Sequence, residues 1–443
     1  MYRKELLKHL TEYLSRSFYQ LPPDARINSK ILHYYNEIIR YWNTLNYIIN
    51  KTLRYMNWDK NVKPSLQAIL FYVTYRFNFE QQEINHIKSE INRLNFLNSP
   101  SKKVVLSFLN HVISFSMEKA LNNKDKTSVL SIRKSIPSFS IERLEPYLPL
   151  ARIQREYVSM DKIKENAWES VGINLLARPK SKEEIIAEIK TSLALKENEI
   201  TIDDRLPDLI YIPSKYKSNL IHGNLLEHGE IFFHDKASSV VVRCLNAQSH
   251  DFIFDMCAAP GVKTSLLAQY TSNESQIVAN DFSYQRIVNS RNFLQKLGLQ
   301  SQCLINADAI FPPLRMNIKF DRILLDAPCT GSGTFSSNPE LKWRQNWQFL
   351  NQNLLFQKDL IQSAIKLLKP EGILVYSVCS LYAEEGEMQI KNILDQMDPL
   401  PLPDWLSPSY TINGGKIQGT GRLFPNIHNS QGFFIAKFKK KDV

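Results

Sequence analysis

Two cysteines carry the strongest chemical signal in this chain. Cys329 lies in DAPCTGSGT (326–334) and Cys379 in LVYSVCSLYAEE (374–385), about fifty residues apart and each at the end of a predicted strand. Both follow a turn of cofactor-binding type, DMCAAPGVKT (255–264). The two thiols are therefore expected to converge on one active site. A thiolate is a nucleophile, so attack by sulfur is the chemistry such a pair offers. Taken alone, each could also be a buried small hydrophobe.

The cofactor-type turn has its own logic. Strand DFIFDM runs into CAAPGVK, where Ala258, Ala259 and Gly261 are small enough for backbone to approach a ligand before a helix begins. A nucleotide-like cofactor fits there, although a plain tight strand-to-helix turn has the same composition. The next strand ends at Asp281, where doubly wound folds place a carboxylate on a ribose hydroxyl pair; helix capping is the alternative. Asp308, after the third strand, either accepts from an adenine amino group or is an ordinary turn aspartate.

The rest of the composition narrows the class. The five cysteines form no CxxC pair and the nine histidines no cluster with ligand spacing, so neither a disulfide framework nor a metal is expected. Lys and Arg outnumber Asp and Glu by 55 to 44, a net charge of +11, which favours a polyanionic partner through phosphate attraction and counterion release. A generally basic surface accounts for the charge without one. No apolar run reaches the roughly 18 residues of a membrane span, and MYRKELLKHLTEYLSRSF at the start has no apolar secretion core, so a cytoplasmic location is expected.

At 443 residues the chain is expected to form more than one domain, and three stretches differ in pattern. Residues 1–145 read as helical. Ile31, Tyr35, Ile38, Trp42, Leu45, Ile49 and Leu53 recur every three or four residues and predict one apolar helical face, with further helices over 65–77, behind Pro64, and 102–120. Residues 146–225 read as a small α+β module: a strand at VGINLLA (171–177), a helix over 180–193 and an apolar LIYIP (209–213). Residues 226–443 alternate strand and helix. DFIFDM (251–256), SQIVAND (275–281), QCLINAD (302–308), FDRILLDAP (320–328) and GILVYSVCS (372–380) predict an α/β, doubly wound and mainly parallel sheet with ligands at the strands' carboxyl ends.

The ordered set DMCAAPGVKT, Asp281, NAD (306–308), DAPCTGSGTFSSNPELKW (326–343), YSVCS (376–380) and GRLFPNIHNSQGFFIAKFKK (421–440) resembles the RNA cytosine-5 methyltransferases of the NOL1/NOP2/Sun family over roughly residues 226–443. FHDKASSVV (233–241) is similar to the family's lead-in to its first catalytic helix. Upstream, VGINLLARPKSKEEIIAEI (171–189) resembles the family's RNA-recognition-like adaptor. Residues 45–77 and KSIPSFSIERL (134–144) resemble the NusB-like helical domain of the rRNA methyltransferase B (RsmB/Sun) type.

The resemblance implies a Rossmann-like class I methyltransferase domain that uses S-adenosyl-L-methionine to form 5-methylcytosine in RNA. Ribosomal RNA is the first expectation and tRNA the second; separately from the resemblance, a monomer is expected. Carbon 5 of cytosine is a poor nucleophile, so a thiolate must first add at carbon 6, and the adduct must afterwards be resolved. By resemblance Cys379 attacks and Cys329 assists elimination. DNA cytosine methyltransferases attack instead with a Pro-Cys thiol like Cys329, so this assignment rests on the family. Asp326 is expected to approach both cofactor and base, where a protonated or hydrogen-bonded carboxyl at ring nitrogen 3 would draw electrons from carbon 6. The cofactor contacts implied are the run Cys257, Ala258, Ala259, Pro260, Gly261, Val262 and Lys263, followed by Asp281, Asp308 and Asp326; Lys342 is a further candidate near the site.

Several positions depart from the family pattern. Val262 stands where a second glycine is usual, where it is expected to crowd the cofactor turn, and Val378 stands where threonine is common. Ala383 and Gly386 replace the proline and asparagine of a PEEN run, and Ser336 and Ser337 occupy positions that are often basic. Retention of both thiols favours an enzyme; an RNA-binding assembly factor with a non-catalytic methyltransferase domain is the alternative.

Overall fold

The computed structural model of the chain describes residues 2–16, 21–22, 28–58, 62–165, 168–177, 180–299, 302–315 and 317–442. Residues 1, 17–18, 59–61 and 178–179, which fall inside segments discussed above, lie outside these. Two compact units result: residues 1–145 together with 337–344, and residues 146–336 together with 345–443.

The first unit is helical. The apolar repeat over 31–58 forms two helices, Ser29–Arg40 and Trp42–Tyr55, separated at Tyr41, whose backbone leaves the helical region. The repeat runs across the break because both helices turn the same face inward: Ile31, Tyr35, Ile38, Leu45, Ile49 and Leu53 are all buried in one cluster. Trp42 stacks on Phe71 with ring centroids 3.9 Å apart. Helix Pro64–Asn78 begins with proline in its first turn, where a missing amide costs nothing, and buries every residue from Ala68 to Arg76. The short turn Pro339–Arg344, which the sequence places inside the thiol-bearing motif, belongs to this unit: Trp343 donates its indole N–H to the Ile39 carbonyl at 2.6 Å.

The second unit holds two sheets. In the smaller, Trp168–Ile173 (β1), Thr201–Ile202 (β2), Leu209–Pro213 (β3) and Ile231–Phe233 (β4) lie in the order β2-β3-β1-β4, all antiparallel. Helix Lys182–Ser192 starts at a capping box between Ser181 and Glu184 and packs Ile185 and Ile189 with the inward residues of these strands. β4 falls after residue 225, so this sheet extends into the stretch that periodicity assigns to the strand-helix alternation. Three residues are too few to show a period.

The larger sheet has nine strands. Phe252–Asp255 (β5), Gln276–Asp281 (β6), Cys303–Asn306 (β7), Phe320–Asp326 (β8) and Leu368–Val378 (β9) pair in parallel in the order β9-β8-β5-β6-β7. These are the five strands that the sequence predicts. Met397–Pro399 (β10), Ser407–Pro408 (β11), Thr420–Leu423 (β12) and Phe433–Lys440 (β13) add an antiparallel flank, with β13 beside β9. Successive residues face opposite sides. Ile253, Leu324, Val375 and Ile435 pack under the helices Lys236–Leu245, Val262–Tyr270 and Tyr284–Lys296, whereas Phe254, Leu325, Tyr376 and Phe434 pack on helix Trp347–Leu367. Helices on both faces of a parallel sheet make this a doubly wound, Rossmann-like fold. Among the described residues no helix is long and apolar enough to cross a membrane.

Candidate active site

The strand order reverses between β5 and β8, and at that switch point the carboxyl ends present Asp255, Asp281 and Asp326, with Cys379 following β9. The pairing of β8 with β9 continues past the strands, since the Ala327 amide donates to the Ser377 carbonyl at 2.9 Å and the Gly333 amide to the Cys379 carbonyl at 3.0 Å. The two thiol segments therefore stay side by side. Cys329 Sγ and Cys379 Sγ are 3.2 Å apart, and both residues are half-buried. The hydrogen bond to Cys379, burial and the charges of Cys379 and Glu385 together hold the Cys329 thiol well above its ordinary range.

Beside the thiols, Lys263 Nζ lies 2.7 Å from Asp326 Oδ2, and Ser377 Oγ donates to Asp326 Oδ1 at 2.6 Å. Burial opposes the Lys263 charge. The charge and hydrogen bond of Asp326 outweigh it, with Cys379 and Asp255 adding, so the ammonium is held above its ordinary range. Lys263 thus brings a positive charge, paired with that of Asp326, to the strand ends.

The cofactor turn forms a cradle. Gly261 caps helix Val262–Tyr270 at φ 97°, a conformation that side chains disfavour, and leaves the helix's first amides at the strand ends. Asp281 is buried and accepts from the Ala259 amide at 3.2 Å and the Ser283 amide at 3.0 Å, with Arg286 3.3 Å away. The cap of the following helix is Ser283, so capping does not account for Asp281. Burial pushes the Asp255 carboxyl up to about 7, and Asp255 Oδ1 and Asn280 Oδ1 are buried without a hydrogen-bond partner. Unfilled acceptors beside helix amides fit a ligand with its own donors, and the set Cys257 to Lys263, Asp281 and Asp326 fits S-adenosyl-L-methionine.

Other expected positions divide. Asp308 is exposed and accepts from the Ile310 amide at 2.9 Å, the geometry of a turn aspartate. Lys342 lies in the helical unit, donating to the Arg40 carbonyl at 3.4 Å. Val262 packs its side chain against the apolar cluster on one face of the sheet, and Val378 is buried in the cluster on the other.

Three residues escaped the sequence reading. Glu385 is fully buried, accepting from the Thr330 amide at 2.9 Å, the Thr330 hydroxyl at 2.5 Å and Gln357 at 3.0 Å. Arg422 and Glu387 form an ion pair with no exposure, and Arg422 also donates to the carbonyls of Ser380 at 3.2 Å and Tyr382 at 3.3 Å, fixing the chain after Cys379. The available signal was the acidic run behind Cys379 and a lone arginine in GRLFP, neither of which reveals its partner.

The same pair explains Gly386. A Cβ there would meet Phe434 at 2.8 Å and Arg422 at 2.9 Å, so the asparagine usual in the family has no room. Gly386→Asn is expected to destabilise the chain by about 1–3 kcal/mol, as overpacking of a tight site does. Thermal denaturation checks this, and an unchanged midpoint would mean that the neighbours yield.

Residues 242–439 match the family 16S rRNA methyltransferase RsmB/F. That stretch, a little under half of the chain, carries both thiols. The chain is 37% identical over 209 residues to a probable ribosomal RNA small subunit methyltransferase B of Synechocystis, covering 46% of this chain and 47% of the relative. A tRNA (cytosine(72)-C(5))-methyltransferase of Pyrococcus horikoshii is 36% identical over 218 residues, covering 49% and 54%. The chain thus spans about half the length of these curated relatives. Among solved structures, the crystal structure of PH0851 matches over 98% of both chains with a TM-score of 0.78 and 25% identity.

Proposed function

We propose that this chain transfers a methyl group from S-adenosyl-L-methionine to carbon 5 of a cytosine in RNA, through a covalent cysteine adduct at carbon 6. The observation that carries the reading is the thiol pair, 3.2 Å apart, beside the Lys263–Asp326 ion pair at the sheet's switch point. Two thiols in contact suit a reaction in which one sulfur attacks and a second group completes release. When bound, the cofactor supplies an electrophilic methyl group. The chain's own residues do the rest.

Cys379, whose charge acts on the Lys263 ammonium, is the attacking thiolate, and its addition to carbon 6 makes carbon 5 nucleophilic. Asp326, oriented by Lys263 and Ser377, is the carboxyl that contacts the base. Cys329, in contact with Cys379, assists elimination of the methylated base: the proton leaves carbon 5 to the Cys329 sulfur while the bond between carbon 6 and the Cys379 sulfur breaks, which frees Cys379 as its thiolate. Ribosomal RNA is favoured because the family and the Synechocystis relative are named for it, and the Pyrococcus relative keeps tRNA second. The helical residues 1–145 are proposed to be NusB-like and, with the small sheet, to supply RNA affinity, in keeping with the net charge of +11. Incubation with RNA and S-adenosyl-L-methionine followed by bisulfite mapping tests the activity; no new methylcytosine in any structured RNA would refute it.

Asp281 gives a narrower test. Its carboxylate is proposed to hold the cofactor's ribose hydroxyls, and losing such a charge-assisted bond costs roughly 1.5–3 kcal/mol, or about tenfold to a hundredfold in affinity. Calorimetry on folded Asp281→Ala is expected to show that loss. Unchanged affinity for S-adenosyl-L-methionine would remove Asp281 from the site.

A further inference from the structure

Glu385 sits on neither thiol, yet it reaches the chain beside both, the second through Thr330. Its carboxylate accepts from the amide and hydroxyl of Thr330, the residue after Cys329, and the same Thr330 hydroxyl lies 3.4 Å from the hydroxyl of Ser380, the residue after Cys379. The two segments are further joined by Ser332 and Ser380 at 3.0 Å. Gln357, on the long helix behind the sheet, donates to Glu385 at 3.0 Å and to the Pro328 carbonyl at 2.8 Å, so the same amide braces the carboxylate and the residue before Cys329. Tyr376 of β9 donates its hydroxyl to the Glu385 carbonyl at 2.6 Å.

The donors named around this carboxylate are all neutral. Burial raises the Glu385 carboxyl, while the bonds from Thr330 and Gln357 pull against it. The charged and titratable groups around the thiols are thus distributed unevenly. Cys329 has Glu385 and Cys379 against it and Tyr376 nearby, whereas Cys379 has the Lys263 ammonium, itself paired with Asp326.

We propose that Glu385 is a positioning residue for the two-thiol reaction: its buried carboxylate holds the chain just beyond Cys329, and through Thr330 the chain beyond Cys379, so that the two sulfurs stay in contact, and it places a negative charge behind Cys329. The inference rests on the two-thiol reading above and extends it by explaining why chemically identical side chains take different roles. A negative charge behind Cys329 breaks the symmetry of the pair. The acidic residue behind the second thiol is then a requirement of the first.

Two measurements on the full chain test this without relying on methyl transfer. Iodoacetamide reacts with thiolates, so the rate of alkylation at each cysteine against pH, resolved by peptide mass spectrometry, reports which thiol holds its proton. Glu385→Gln keeps the shape and removes the charge. Cys329 is expected to alkylate about tenfold faster near pH 8 in this variant, its profile moving down by roughly one unit, while exposed Cys303 is unchanged. The second measurement is capture of the thiol pair by phenylarsine oxide, which bridges two sulfurs only when they are adjacent. Thr330→Val, which removes the hydroxyl that Glu385 holds, is expected to weaken capture about tenfold, with Thr330→Ser restoring it.

A Cys329 profile unchanged in folded Glu385→Gln would overturn the electrostatic part, and capture unchanged in Thr330→Val would overturn the tether. If Glu385→Gln does not fold, the Thr330 pair decides. If both thiol measurements behave as expected but no RNA is methylated by the unaltered chain, the inference about Glu385 stands and the proposed activity falls.

Discussion

Replacing Cys379 with alanine is expected to abolish methyl transfer while leaving S-adenosyl-L-methionine binding intact. Without a sulfur to add at carbon 6, carbon 5 of cytosine never becomes nucleophilic, so the remaining residues hold two unreactive partners. Loss of a covalent nucleophile removes on the order of 10⁴-fold or more of the rate, equivalent to about 5.5 kcal/mol of transition-state stabilisation. The cofactor cradle is built from the turn after β5 and from Asp281, which accepts from the amides of Ala259 and Ser283. Single-turnover transfer from radiolabelled S-adenosyl-L-methionine, with calorimetry alongside, separates the two effects. Turnover near that of the unaltered chain would sink the assignment of Cys379.

Cys329→Ala is expected to fail at the opposite end of the reaction. Attack and methylation require Cys379, whereas release of the product requires the group in contact with it at 3.2 Å. The variant should therefore accumulate a protein-RNA adduct that survives a denaturing gel, with turnover falling by a factor of about a thousand as elimination stalls. Fold stability is expected to change little, because Cys329 is half-buried and replaced by a smaller side chain. An adduct seen with Cys379→Ala and absent with Cys329→Ala would exchange the two roles, placing the attacking sulfur where DNA cytosine methyltransferases have it.

The parallel strands β5 to β9 were legible because each contains a short apolar run bounded by turn residues, too short to carry a helical period. Helix Lys182–Ser192 was legible from Ser181, Lys182, Glu183 and Glu184, which encode its start chemically. β13 was not read as a strand, although Phe433 to Lys440 pairs along the whole upper part of β9; in the sequence its alternation ends in a run of lysines that resembles a solvated tail. β4 went unread for a similar reason, since three residues carry no period of their own. Pro339–Arg344 shows a different limit. Its place within a motif says which chain segment it belongs to, but Trp343 finds its partner at Ile39.

The chemistry of the site divides along the same line. Local order in the sequence was enough to name the reacting types: two thiols, a carboxylate three residues before one of them, and a glycine at the start of a cofactor helix. Each is a property of a side chain or a turn, and survives in any context. The asymmetry between the thiols is different in kind, because Lys263, Glu385 and the Arg422–Glu387 pair reach the cysteines only through strand pairing and helix packing. Charge acts through distance and burial, and for residues separated by fifty or a hundred positions neither exists until the sheet has formed.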